Sequence, residues 1–310
     1  MIRLTYAPEL VEETVLMAER TAPAGGLGAF RRERNRLYEI ADVDEREAFF
    51  RALHQKWFLR LGLHGVIEEM IGERTDLEGR VADGRVLPAL TRTEEGADLI
   101  DQVMPGSADL RPLLVLRLRP STLLDPDALS VLLRHELMHV GDMLDPAFGY
   151  ERALPASDDG PSADNIVRDR YRVLWDMTID GRLLRSGTAD GGMREVRRRE
   201  FAATFAMLAG EGPRLFDEWF DRIQPAHRAL AAFAQAPNGA ENTDAAHAGR
   251  CPLCRFPVAS LDPHPERLSA AGRATICADY PAWNIEQGLC PQCLDLYEAR
   301  HEDDVAVSRR

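Results

Sequence analysis

Leu129 to His139 reads Leu-Ser-Val-Leu-Leu-Arg-His-Glu-Leu-Met-His, and no other stretch restricts so tightly what this chain can fold into. On a helix, residues four apart project from one face about one turn apart. His135 and His139 therefore present two imidazoles side by side, at a separation suited to gripping one Zn²⁺. Glu136 stands beside them, where it can take a proton from a metal-bound water. The residues around the histidines are apolar (Val131, Leu132, Leu133, Leu137, Met138 and Val140), which predicts a buried helix. Two imidazoles buried together need a partner. Asp125-Pro126-Asp127 supplies a helix N-cap, a proline at the first helical position and an acidic first turn. Gly141 is the expected stop.

The second constraint lies near the C-terminus. Cys251-Pro252-Leu253-Cys254 and Cys290-Pro291-Gln292-Cys293 form two matched pairs. Four thiolates so arranged suit a tetrahedral structural Zn²⁺. The 35 residues between the pairs exceed those of a compact zinc finger, so the segment reads as a zinc ribbon with an inserted loop. Cys277 is left over and is expected to be a small buried hydrophobe. The N-terminus has no signal-peptide core, and no apolar run approaches the length of a membrane span. A cytoplasmic protein with metal-binding cysteines rather than disulfides is expected.

Between these landmarks the pattern is mostly helical. Helices are expected over 9–20, 44–61, 165–184, 193–208 and 213–234. Residues 76–110 read as irregular structure with short strands. Pro112 to Pro120 reads as a strand bounded by prolines. The small, polar segment 236–249 reads as a linker. The predicted class is α+β, mainly helical, with a metal-binding domain over 1–235, the linker, and a ribbon-like module over 250–310. The net charge of −13 disfavours non-specific binding to nucleic acid or anionic membrane. The module is not basic either: from Cys251 onward it carries six arginines against nine acids, so a protein partner suits it better than nucleic acid. Tyr280, Trp283 and Tyr297 are candidates for an apolar face toward such a partner.

A catalytic zinc site usually has three protein ligands and an open position. Three residues compete for third place. Asp145 lies ten residues past His135, as in the extended metzincin pattern. The glycine of that pattern, however, would fall at Asp142, and Gly141 is one place early. Asp176 and Asp180 are four apart on a helix otherwise rich in apolar residues. Acids in such a helix are costly unless a cation or donor meets them. Arg172 and Arg182 are candidate ion-pair partners.

Taken together, residues 112–185 resemble the gluzincin group of zinc metallopeptidases, the thermolysin-like architecture. The resemblance implies a zincin-like catalytic domain in which Asp176 is the third ligand and Asp180 orients a ligand histidine. It also implies that Glu136 is the general base and that the substrate is a peptide or protein. The strand before the metal helix would line the cleft and pair with extended substrate, although an ordinary core strand fits the same residues. Gluzincins use glutamate as third ligand. With the shorter aspartate the second helix must come closer, or Asp180 itself binds. Tyr150, Tyr171 and Arg182 are available to stabilise an oxyanion. Two zinc ions per chain are expected, one catalytic and one structural. The alternative is a non-catalytic adaptor whose ribbon recruits a protein or nucleic-acid partner.

Overall fold

The computed structural model describes residues 2–22, 26–101, 111–154, 161–237, 250–255, 258, 261–262 and 268–298. They form two compact units, Met1–Tyr150 and Glu151–Arg310. The chain is mainly helical with one small sheet, an α+β arrangement. The units part at Tyr150, and segment 250–298 packs in the same unit as the helices before it. Most of the expected linker, residues 238–249, lies outside the described residues, as do 155–160 in the polar loop after the helix that carries His135 and His139. Among the described residues, no helix is long and apolar enough to cross a membrane.

The first unit opens with β1 (Leu4–Tyr6) and the helices α1 (Pro8–Thr21), α2 (Gly28–Leu37), α3 (Val43–Arg60) and α4 (Gly65–Gly72). Pro8 starts α1, and the Asp42 carboxylate accepts the Glu45 N–H at 2.8 Å to cap α3. Three further strands follow: β2 (Gly84–Pro88), β3 (Gly96–Ile100) and β4 (Leu113–Leu118). The sheet order is β1-β2-β4-β3, with β3 alone antiparallel to its neighbour. β4 is thus interior. Its residues are buried on both faces except Arg117, which is why it reads as a nearly continuous apolar run. Of the two readings of residues 112–120, the core strand is the one that fits this position, and among the described residues the sheet ends at β3.

A short helix α5 (Pro120–Leu123) leads into α6 (Pro126–Leu144). Asp125 caps α6 by accepting the Ala128 N–H at 3.1 Å, and Pro126 and Asp127 occupy the first turn as expected. The helix is half-buried rather than fully buried. Leu129, Leu133, Leu137 and Val140 enter the core, while Val131 is exposed. It also runs through Gly141 instead of stopping there. Met143 and Leu144 still pack on the core, and the missing Cβ of Gly141 leaves space taken by the Arg74 guanidinium.

The second unit is built on α7 (Pro161–Arg185), buried without interruption from Val173 to Gly181. It packs against α8 (Met193–Thr204), α9 (Gly212–Phe220) and α10 (His227–Gln235). The single helix expected over 213–234 is two, parted by the stretch that contains Pro225. Phe201, Phe205, Phe216, Phe220, Trp219 and Phe233 fill the space with neighbouring rings. The cysteine segment adds α11 (Ala270–Asp279), a bridge between Asp262 and Leu289, and helical residues 291–298. Trp283 and Tyr297 are buried around the cysteines, so they form this module's core rather than an exposed face. Cys277 is exposed, contrary to expectation, because it lies on the outer side of α11.

Candidate metal centres

On α6, the Nε2 atoms of His135 and His139 lie 3.2 Å apart, with the rings edge to face. Two nitrogens bound tetrahedrally to one Zn²⁺, at Zn–N of about 2.0–2.1 Å, would stand about 3.3 Å apart. The pair thus already has the bite of a zinc site, and both rings are half-buried. Glu136 turns toward the end of the sheet. Its Oε2 accepts the Ala97 N–H of β3 at 3.0 Å. That N–H belongs to an edge strand and would otherwise lack a ladder partner. A Cβ on Gly96 would come within 3.0 Å of the same oxygen, so the carboxylate approaches where the strand has no side chain.

The β3 edge is itself anchored. The Glu95 carboxylate accepts the Arg119 backbone N–H at 2.9 Å and the Arg119 Nε–H at 2.8 Å. Burial alone would raise the Glu95 pKa, but hydrogen bonds from Thr122 and Arg119 outweigh it and hold the group below the usual carboxylate range. Asp145 caps the end of α6, is exposed, and accepts the Ala147 N–H at 2.9 Å through Oδ1. That is the geometry of a turn-closing aspartate.

Asp176 and Asp180 are buried in α7 of the second unit. Arg172 donates to Asp176 Oδ2 at 3.0 Å, as the i, i+4 spacing allows, and Arg197 of α8 stands 3.7 Å from the same oxygen. Arg197 also donates through Nε to Asp180 and pairs with Glu200. Burial would lower the Arg197 pKa; attraction to Asp180 and Asp176 more than offsets it and holds the guanidinium above its ordinary value. Arginines therefore meet the charge of this acidic pair within its own unit. Arg182, the other expected partner, donates through Nε to the Thr178 carbonyl at 3.2 Å. Tyr171 shares a 2.7 Å hydrogen bond with His227 Nδ1. His227 is buried, which pushes its pKa down against a weaker opposing pull from Glu151.

In the same unit, Cys251, Cys254, Cys290 and Cys293 are all buried, and their sulfurs lie within 4.8 Å of one another. Cys251 Sγ is 3.8 Å from Cys293 Sγ, and Cys254 Sγ is 3.8 Å from Cys290 Sγ. Tetrahedral Zn–S bonds of about 2.3 Å place sulfurs about 3.8 Å apart, so the donor set fits zinc. Without a cation the sulfurs compete. Hydrogen bonds with Cys254, Cys290 and Cys293 hold Cys251 far below the thiol range, while hydrogen bonds with Cys251, Cys254 and Cys290 push Cys293 far above it. Four sulfurs in one pocket cannot all ionise unless a positive ion joins them. This buried site could hold a metal ion.

Several participants escaped the sequence reading. The role of Ala97 depends on which strand forms the sheet edge, and His227 is a lone histidine in a helical stretch. Arg197 lies in the run Arg197-Arg198-Arg199, where composition does not tell which arginine points inward. A helical i, i+4 count could have found Arg170, which shares a stripe with Ile166 and Leu174. No family model, curated protein or solved structure matches this chain, so the functional reading rests on the geometry and chemistry of these groups.

Proposed function

We propose that this chain is a zinc-dependent metallopeptidase with a separate structural zinc. His135 and His139 are two ligands of the catalytic ion, Asp176 is the third, and Glu136 is the general base. Cys251, Cys254, Cys290 and Cys293 hold the structural ion. The observation that carries the reading is the 3.2 Å approach of the two imidazole nitrogens, with the Glu136 carboxylate fixed by the Ala97 N–H. A zinc ion held by that pair supplies Lewis acidity. Glu136 accepts the proton of the attacking water and passes it to the leaving amine. The Ala97 hydrogen bond restricts the carboxylate rotamer, so the base is oriented before substrate arrives.

The test begins with metal analysis, which should give two zinc ions per chain. Glu136→Gln should keep both and lower peptide hydrolysis by about 10²- to 10⁴-fold, the scale of a positioned general base. Unstructured peptides and the chain's own segment 238–248 are the first substrates to try. Asp176→Ala should strip the catalytic ion, and Asp180→Ala should weaken it by about 10- to 100-fold. If Asp145→Ala alone strips it, Asp145 is the ligand instead. A second reading, a non-catalytic zinc-binding adaptor, draws support from the arginines that already balance Asp176 and Asp180. Under that reading Glu136→Gln leaves zinc, fold and function unchanged.

A further inference from the structure

Arg170 is only 2% exposed and heads the large side chains that are this deeply buried. It lies on α7, one turn after Ile166, which belongs to the apolar cluster enclosing the four cysteines. A guanidinium in such a place costs several kcal/mol unless negative charge accompanies it. Its neighbour Asp169 is exposed and pairs with Arg172 at 3.1 Å. The sulfurs of Cys254, Cys290 and Cys293 are among the groups whose negative charge bears on Arg170.

The contacts run through the second cysteine pair. Arg170 Nη2 donates to Gln292 Oε1 at 3.1 Å, and Gln292 stands between Cys290 and Cys293. The same side chain donates through Nε2 to the carbonyl of Thr204, the last residue of α8. One amide therefore touches α7 and α8 at once. Met207 Sδ, 3.8 Å from Nη2, and the Phe205 ring, 5.9 Å from the guanidinium carbon, also lie beside it.

We propose that Arg170 is the counter-charge of the cysteine metal complex, and that the Arg170–Gln292–Thr204 clasp couples metal occupancy to the α7–α8 pair. Four thiolates around a divalent zinc leave the complex doubly negative. That excess charge is what makes a buried arginine tolerable, and the arginine in turn favours the charged complex. Metal bound by the cysteines thereby steadies the two helices that carry Asp176, Asp180 and Arg197. The proposal rests on the reading of the four cysteines as a zinc site. Linkage requires reciprocity: what Arg170 adds to metal affinity, the metal adds to the stability of a chain containing Arg170.

The experiment uses the full chain with Arg170→Met, which keeps an unbranched side chain of similar reach without the charge, and Arg170→Lys, which keeps the charge. Cobalt(II) replaces zinc to give a thiolate charge-transfer band, and chelator competition gives zinc affinity at the cysteines. Arg170→Met should retain the band and bind zinc about 10- to 100-fold more weakly, with Arg170→Lys between it and wild type. Melting should change sign with metal: Arg170→Met should be less stable than wild type when zinc-loaded, and equal or more stable when metal-free. Affinities within about threefold of wild type for both variants would overturn the proposal, since partners that orient metal ligands move affinity by more. The same stability loss with and without metal would overturn it too, leaving Arg170 a packing residue. If wild type shows no thiolate band with cobalt, the zinc reading of the cysteines fails instead. If Arg170→Met does not fold, Arg170→Lys decides: wild-type affinity with a lost Gln292 contact would refute the clasp, and weakened affinity would support it.

Discussion

Replacing Arg197 by methionine should destabilise the second unit far more than a typical helix-surface change. Its side chain is 16% exposed and answers two carboxylates, those of Asp180 (3% exposed) and Asp176 (12% exposed). Removing one partner of a buried ion pair leaves an uncompensated charge and costs about 3–5 kcal/mol. For a unit of this size that is a fall in melting temperature of roughly 6–20 °C. The assay is thermal unfolding followed by circular dichroism at fixed zinc, for Arg197→Met, Asp180→Asn and the double variant. Because the two side chains share one interaction, the double variant should lose less than the two single losses combined. A fall of under about 2 °C, less than 1 kcal/mol at this size, would refute the argument. So would strict additivity in the cycle.

Two further outcomes follow from the first unit. Asp125→Ala removes the cap on the Ala128 N–H and should cost about 0.5–2 kcal/mol in urea unfolding. An unchanged midpoint would show the cap to be idle. Glu95→Gln should cost about 1.5–3 kcal/mol at pH 7, because two hydrogen bonds to Arg119 lose their ionic character. The Glu95 pKa is lowered in the folded chain, so its contribution is complete above the unfolded value of about 4.3 and fades as pH falls through the folded value. Wild type and Glu95→Gln should therefore converge in stability in acid, and a gap that widens there would contradict the sign.

Local chemistry was legible wherever neighbours in sequence are neighbours in space. The start of α6 needs only Asp125, Pro126 and Asp127, and the His135–His139 pair needs only one helical turn. The cysteine cluster was legible too, because four soft ligands in two pairs have few other ways to be buried together. The stop expected at Gly141 failed because packing of Met143 and Leu144 outweighs a glycine's weak preference to end a helix. Which strand forms the sheet edge was decided by long-range pairing. An apolar run bounded by prolines suits an interior strand as well as a cleft-lining one, and only the β2–β4 and β4–β3 ladders place Leu113–Leu118 inside. The same holds for charge. Arg170 and Arg197 look like ordinary helix arginines, and their burial follows from which faces of α7 and α8 the fold turns inward. Sequence period determines which residues share a face; the partner of that face, and so the fate of each charge on it, is determined by contacts between residues distant along the chain.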